Sequence, residues 1–317
     1  MHVPRWRWWT RWALLACLAC PVSPALAYLV NVVGSNNGLA FQEASDSLVQ
    51  ELARNGLARK DIGLLSVAEY QELAAGAPEA RLTVSLGTEA FRQVIAGNTR
   101  SAVLAALIPR ISFERVLQEA NKKSGSNVTA LYLDQPFGRQ LDLLRLALPG
   151  TRRVGVLWGP ESMGQQGLLN GALQAHGMEA SEGLYAEGLP LIDSLRGALQ
   201  GADALLAVAD NTVYNSSTVA NILLTSYRAK TPVLAFSPAY VKAGALLSVH
   251  STATQAGVQV ATMVGHFLQT GSLPANQYPT DFTITTNEYV ARSLGLSLDA
   301  RALSERLHKL DRMEKRP

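Results

Sequence analysis

Short apolar runs alternate along this 317-residue chain with longer segments whose apolar positions recur every three or four residues, the pattern of parallel strands wrapped by helices. Residues 28–33 read as a buried strand that ends in the turn residues Gly34, Ser35, Asn36, Asn37 and Gly38. Phe41, Ala44, Leu48 and Leu52 then follow at helical spacing until Asn55-Gly56 stops the helix. Residues 62–67, 82–86, 102–108 and 128–133 are the next apolar runs. The last leads through Asp134-Gln135-Pro136 into a helix with Leu141, Leu144 and Leu148 on one face, halted by Pro149-Gly150.

A second unit of the same kind begins after that break. Strands are predicted at 154–158, 204–209, 232–236 and 245–249, with a weaker one at 182–185, where Gly183 lowers the propensity. The helices between them bury Leu169, Ala172 and Leu173, then Ile192, Leu195 and Leu199, then Val219, Ile222, Leu223 and Tyr227. A helix carrying Val260, Val264, Phe267 and Leu268 closes at Gly271, and a short strand at 282–285 precedes the final helices. From Arg301 onward both charge signs recur at short intervals, which predicts a solvated helix. Two consecutive units of similar size predict an α/β fold of two Rossmann-like lobes with parallel sheets, facing each other across a cleft.

The first 27 residues stand apart. Arg5, Arg7 and Arg11 form a cationic start, residues 12–22 supply a short apolar run, and Ala25-Leu26-Ala27 offers small residues where a signal peptidase cuts. This predicts a secretion signal and an exported, periplasmic protein; Leu14-Leu15-Ala16-Cys17 is a competing lipoprotein-type site that would leave Cys17 lipid-anchored. Without its three leader arginines the chain carries 25 Lys+Arg against 25 Asp+Glu, a net charge of zero. With no positive field to attract phosphates, nucleic acid is not an expected partner. Both cysteines, Cys17 and Cys20, also fall in the leader, so the remainder must fold without disulfides.

In open parallel sheets ligands bind at the carboxyl ends of strands, where loops and helix N-termini present free N–H groups. Those ends carry Ser35, Asn36, Gly87, Thr88, Arg110, Asp134, Gln135, Trp158, Asp210, Asn211, Thr212, Ser237 and Tyr240, all able to hydrogen-bond or stack. Signs of catalysis are poor: there is no Gly-x-Ser-x-Gly elbow, no phosphate loop and no His-Glu-x-x-His. His176, His250, His266 and His308 are scattered without metal-ligand spacing, and no cofactor is expected. His250 is of interest only as a residue beside a connection between the lobes.

Six segments occur in an order that resembles a known family: 127–130 (Asn-Val-Thr-Ala), 134–136 (Asp-Gln-Pro), 140–144 (Gln-Leu-Asp-Leu-Leu), 153–157 (Arg-Val-Gly-Val-Leu), 209–213 (Ala-Asp-Asn-Thr-Val) and 241–246 (Val-Lys-Ala-Gly-Ala-Leu). Together, over residues 128–296, they resemble the ABC-transporter substrate-binding proteins of the tryptophan and tyrosine type. The resemblance implies a type I periplasmic-binding fold, two lobes joined by three crossover segments that hinge shut on a small molecule. The crossovers are expected near 134–137, His250 and 278–281. Lobe 1 would then comprise 28–135 with 251–278, and lobe 2 would comprise 136–250 with 279–317. The first lobe departs from the family pattern, with Gly125-Ser126-Asn127-Val128-Thr129-Ala130 in place of a Gly-Gly-Asn-Val-Thr-Gly-like stretch and Arg110-Ile111-Ser112 where an Asp-Pro pair is usual.

The implied function is an exported solute-binding protein, a monomer, that closes on an amino acid or aromatic compound and delivers it to an inner-membrane ABC permease. A periplasmic sensor acting on a membrane receptor is the alternative. For an amino-acid-like ligand, Thr88 beside Gly87 and the guanidinium of Arg110 suit a carboxylate, and Asp210 suits an ammonium. Trp158, the one tryptophan outside the leader, and Tyr240 suit an aromatic wall. Ser35, Gln135, Asn211 and Ser237 complete the candidate set. Helix capping for Thr88 and Asp210, a salt bridge for Arg110, and core packing for Trp158 and Tyr240 are the competing readings.

Overall fold

The computed structural model describes residues 28–36, 38–74, 79–97, 99–186 and 188–314. The expected leader, its cleavage site and Cys17 lie outside the described residues. The first half of the chain alternates strand and helix: β1 (Val30–Gly34), α1 (Leu39–Arg54), β2 (Ile62–Ser66), α2 (Val67–Ala74), β3 (Leu82–Leu86), α3 (Thr88–Ala96), β4 (Ala102–Ile108), α4 (Arg110–Glu119) and β5 (Val128–Tyr132). These strands form one parallel sheet in the order β2-β1-β3-β4-β5. The second half continues with α5 (Phe137–Ala147), β6 (Arg153–Trp158), α6 (Gln166–Ala175), β7 (Glu179–Leu184), α7 (Leu191–Leu199), β8 (Ala204–Leu206), α8 (Val219–Arg228), β9 (Val233–Ala235), α9 (Pro238–Ala243) and β10 (Leu247–His250). It ends with α10 (Ala253–Thr270), β11 (Thr283–Thr286), α11 (Glu288–Ser293) and α12 (Ala300–Glu314). The second sheet has the order β11-β10-β9-β8-β6-β7. It is parallel except at its edge, where β11 runs antiparallel to β10.

Both sheets are covered on two faces, so successive residues of one strand enter different cores. In β4, Ala102, Leu104 and Ala106 pack with α1 and α10, whereas Val103 and Ala105 pack with Phe91 of α3 and Phe113 of α4. The alternation slips at a bulge after Ala105: Leu107 takes a left-handed φ of 52°, and Ile108 rather than Leu107 returns to the α3/α4 face. A leucine in that region is strained by about 1 kcal/mol or more, and the strain is stored two residues before Pro109 on the cleft wall. In the second sheet, Val154, Val156 and Trp158 of β6 face α5, α6 and α12, while Leu157 faces α7 and α8.

The chain passes between the sheets three times. After β5 it enters α5, which packs on α6 and α12 of the second sheet. After β10 it returns as α10, which lies along α1 of the first. The segment after α10 runs beside β5, with Gln277 bonded to Ala130 and Tyr132, before reaching β11 in the second sheet. The α10–α1 approach requires Gly257: a β-carbon there would overlap the Ala44 carbonyl and Ser47 Oγ. Gly257→Ala is therefore expected to destabilise the protein in denaturant titrations. The overpacking penalty, toward the upper end of about 1–3 kcal/mol because a backbone carbonyl cannot rotate away, exceeds the roughly 1 kcal/mol of helix propensity gained.

Three local readings of the sequence change, the first being Tyr227, which is expected to be buried with Ile222 and Leu223 of α8 but is 49% exposed. Gly183 does not weaken β7, which extends over Glu179–Leu184; its missing side chain lets α7 lie against the strand, because a β-carbon would strike the Ser194 carbonyl. The C-terminal helix is solvated on one side only. Leu303 and Leu307, one turn apart among charges, are buried in the second lobe's core, so α12 docks on α5 and β11.

Candidate functional site

A cleft of about 580 Å³ lies between the two sheets at the carboxyl ends of their strands. The first lobe contributes Ala40 and Glu43 of α1 and Pro109, Ile111 and Ser112 at the start of α4; the second contributes Glu161, Gln165, residues 207–211, Tyr214, Phe236, Ser237, Pro238 and Tyr240. The connections add residues 133–135, His250, Ser251, Thr252 and Tyr278. An ion pair joins the lobes beside it, Arg115 Nη1 to Glu161 Oε1 at 3.3 Å, and Glu161 also accepts the backbone and side-chain N–H groups of Asn211.

Five residues of the sequence-derived set meet here: Gln135, Asp210, Asn211, Ser237 and Tyr240. Asp210 organises the floor. One carboxylate oxygen accepts Ser162 N and Oγ, both at 2.8 Å, and the other accepts Thr212 N at 2.9 Å and Thr212 Oγ1 at 2.5 Å. Ser237 caps α9 by accepting the Ala239 amide, and Tyr240 donates its hydroxyl to the Tyr214 carbonyl at 3.0 Å. Gln135 is held on both sides, donating to Ser251 and accepting from Arg139.

The other five are placed away from the cleft lining. Ser35 Oγ donates to the Leu86 carbonyl and accepts the Ala90 amide, so it caps α3 from the neighbouring strand. Gly87 and Thr88 form the start of that same helix. Arg110 begins α4, but its guanidinium donates to Glu114 at 2.7 Å and to the Tyr278 hydroxyl at 2.9 Å. Trp158 is fully buried in the second lobe's core and donates its indole N–H to Glu182 at 3.0 Å. The carboxylate clamp and the tryptophan wall expected from the sequence therefore have no place in this cleft: both side chains are spent on internal partners.

What the sequence reading missed is mostly aromatic. Tyr214 and Phe236 join the expected Tyr240 in an edge-to-face cluster with centroids 4.8–6.2 Å apart, and Phe137 and Tyr278 extend the aromatic lining. Tyr214 was open to detection, since it lies one turn after Asp210 and donates its amide to the Asp210 carbonyl at 2.7 Å. Gln165, in a short turn before α6, carries no comparable signal. Both side chains are more than nine-tenths buried, and both present an atom without a hydrogen-bond partner, the Tyr214 hydroxyl and the Gln165 amide nitrogen. Burial drives the Tyr214 hydroxyl far above the ordinary tyrosine range. It also raises the Asp134 carboxyl, against the pull of the Arg110 amide that it accepts at 2.6 Å, and lowers His250 toward its neutral form.

Comparison with known proteins agrees with this architecture. The family described as ABC transporter substrate binding protein matches residues 67–306, further into the first lobe than the six sequence segments reach. Three solved structures share the fold. A conserved domain protein from Vibrio cholerae superposes with a TM-score of 0.60 at 20% identity, covering 87% of this chain and 97% of its own. An ABC domain from Streptococcus pneumonia in complex with L-Trp gives 0.58 at 19%, covering 88% and 98%. The ligand-free, open form of a substrate binding protein with adhesive properties from Clostridium difficile gives 0.65 at 17%, covering 86% and 96%. A search of curated proteins finds no match. The chain belongs to the ABC transporter substrate-binding protein family and has the two-lobed fold of type I periplasmic binding proteins.

Proposed function

We propose that this is an exported binding protein whose lobes, 28–135 with 251–278 and 136–250 with 279–317, close on one small organic ligand and deliver it to an inner-membrane ABC permease. The observation that carries the reading is the cleft. It is of ligand size and is lined from both lobes and all three connections, and two of its lining residues, Tyr214 and Gln165, each carry a buried polar atom with no partner among the described residues. A cleft bridged by the Arg115–Glu161 pair supports closure by lobe movement. The L-Trp bound to the streptococcal relative supports a ligand of similar size.

A ligand that binds the folded, closed protein raises its melting temperature by mass action, so a thermal-shift screen of amines, amino acids, aromatic acids, sugars and nucleosides tests the reading. A well-folded sample that none of these stabilises would count decisively against it. Tyr214→Phe sharpens the test because its two effects have opposite signs. Removing a buried hydroxyl that lacks a partner is expected to leave the free protein as stable or about 1 kcal/mol more so, while weakening the ligand found in the screen about tenfold by calorimetry. Equal affinity in the variant would remove Tyr214 from the binding surface.

A further inference from the structure

We propose that the cleft takes a positively charged aromatic amine and selects against the carboxylate that would make it an amino acid. This rests on the solute-binding reading above and adds the ligand's charge to it.

Four carboxylates line the cleft, Glu43, Asp134, Glu161 and Asp210, and among the described lining residues none is lysine or arginine. The arginines beside its walls are already engaged, Arg110 by Glu114 and Tyr278, Arg115 by Glu161, and Arg139 by Gln135, the Pro279 carbonyl and Asp311. Helix N-termini, the other usual source of positive potential, are largely filled by the chain itself. The first amide of α4 donates to Asp134. Helix α9 begins with Pro238, which has no N–H, and its next amide is taken by Ser237. Helix α10 is closed by the reciprocal Thr252–Gln255 capping box. An incoming carboxylate would thus meet like charge, with the leading amide of α4 and the capping donors of α9 and α10 already taken.

A cation meets the reverse. Asp210 is 4% exposed and is held by neutral donors, and no ion pair is formed by it among the described residues. Glu43 has no side-chain partner among the described residues. The Tyr214–Phe236–Tyr240 cluster offers ring faces to a cation and to an aromatic body alike. Tyr214 and Gln165, which also line the cleft, each keep a buried polar atom with no partner among the described residues. Among the described residues no three His, Cys, Asp or Glu side chains converge as metal ligands, which points to an organic cation.

The test is a charge series on fixed rings: tryptamine, tryptophan, indole-3-propionate and 3-methylindole, with the matching phenyl set, measured by calorimetry on the purified protein. The amine is expected to bind at least about tenfold more tightly than its amino acid, and the acid not detectably, because opposing a buried like charge costs that much or more. Glu43→Gln, which breaks no internal bond, is expected to cut amine affinity several-fold with melting unchanged, and Asp134→Asn, which keeps an oxygen for the Arg110 amide, to cut it several-fold with a modest loss of melting temperature. An amino acid or acid bound as well as the amine overturns the charge assignment and leaves solute binding standing. Amine binding that both variants leave intact overturns the role given to these carboxylates. Failure of every compound here and in the broad screen overturns the solute-binding reading itself.

Discussion

Asp210→Ala is expected to lower stability by about 3–5 kcal/mol and to abolish ligand binding. Its carboxylate gathers four donors from two loops, the Ser162 turn and the Asn211-Thr212 turn, and Ser162 is fully buried. A hydrogen bond to a charged acceptor contributes about 1.5–3 kcal/mol. Four that share one acceptor are not additive, and the figure given is below their sum for that reason. The loss of binding follows from the same geometry, since the turns Asp210 fixes carry Glu161, Asn211 and Tyr214 into the cleft. Asp210→Asn should recover little of the stability. Its amide oxygen can serve one pair of donors, but its NH2 then confronts the other pair. Denaturant unfolding followed by calorimetry on the surviving folded fraction separates the effects. If Asp210→Ala retained wild-type stability, the residue would be a ligand contact alone and its role as organiser of the floor would be lost.

Arg139→Met is the second variant with a large expected effect, about 3–5 kcal/mol of destabilisation, and it acts where the lobes are joined. Arg139 is 4% exposed and donates to Gln135 Oε1 at 2.6 Å, to the Pro279 carbonyl at 2.8 Å and to Asp311 Oδ1 at 2.8 Å, with its guanidinium 4.5 Å from the Phe282 ring centre. Gln135 in turn donates to Ser251, whose hydroxyl donates to the Asp281 carbonyl. One side chain thereby ties all three connections between the lobes to the C-terminal helix. Methionine fills much of the volume without the fork of donors, which leaves the Gln135 side-chain oxygen and the Pro279 carbonyl short of a partner and removes the guanidinium from Asp311. Arg139→Lys should rescue only part, because one ammonium cannot span the three directions. Chemical denaturation of the three proteins checks the ranking; a methionine variant within 1 kcal/mol of wild type would show that the connections are held by packing instead.

Much of the architecture was legible before any coordinates. A strand buried on both faces must be apolar at nearly every position, and runs such as 82–86 and 102–108 have no other comfortable home in a chain without a membrane-spanning helix among its described residues. The site was legible only in outline. Polar residues at strand ends are visible in the sequence, but Ser35 and Arg110 look the same there as Asp210 and Ser237. Which of them faces the cleft depends on partners distant in the chain: Leu86 and Ala90 for Ser35, Tyr278 for Arg110, Glu182 for Trp158. Local pattern also hid the helices α2 and α4, which follow their strands with almost no intervening turn, and the buried stripe of α12, where two leucines sit among many charges.

The sequence by itself determined the alternation of strand and helix, the division into two α/β units and the polar rim at the strand ends, because these follow from burial and backbone hydrogen bonding that each segment must satisfy locally. Only the tertiary structure decided which rim residues remain available to a ligand. Hydrogen-bond capacity is finite, and a side chain's last donor or acceptor is assigned by neighbours that the fold, not the chain order, brings within three ångströms.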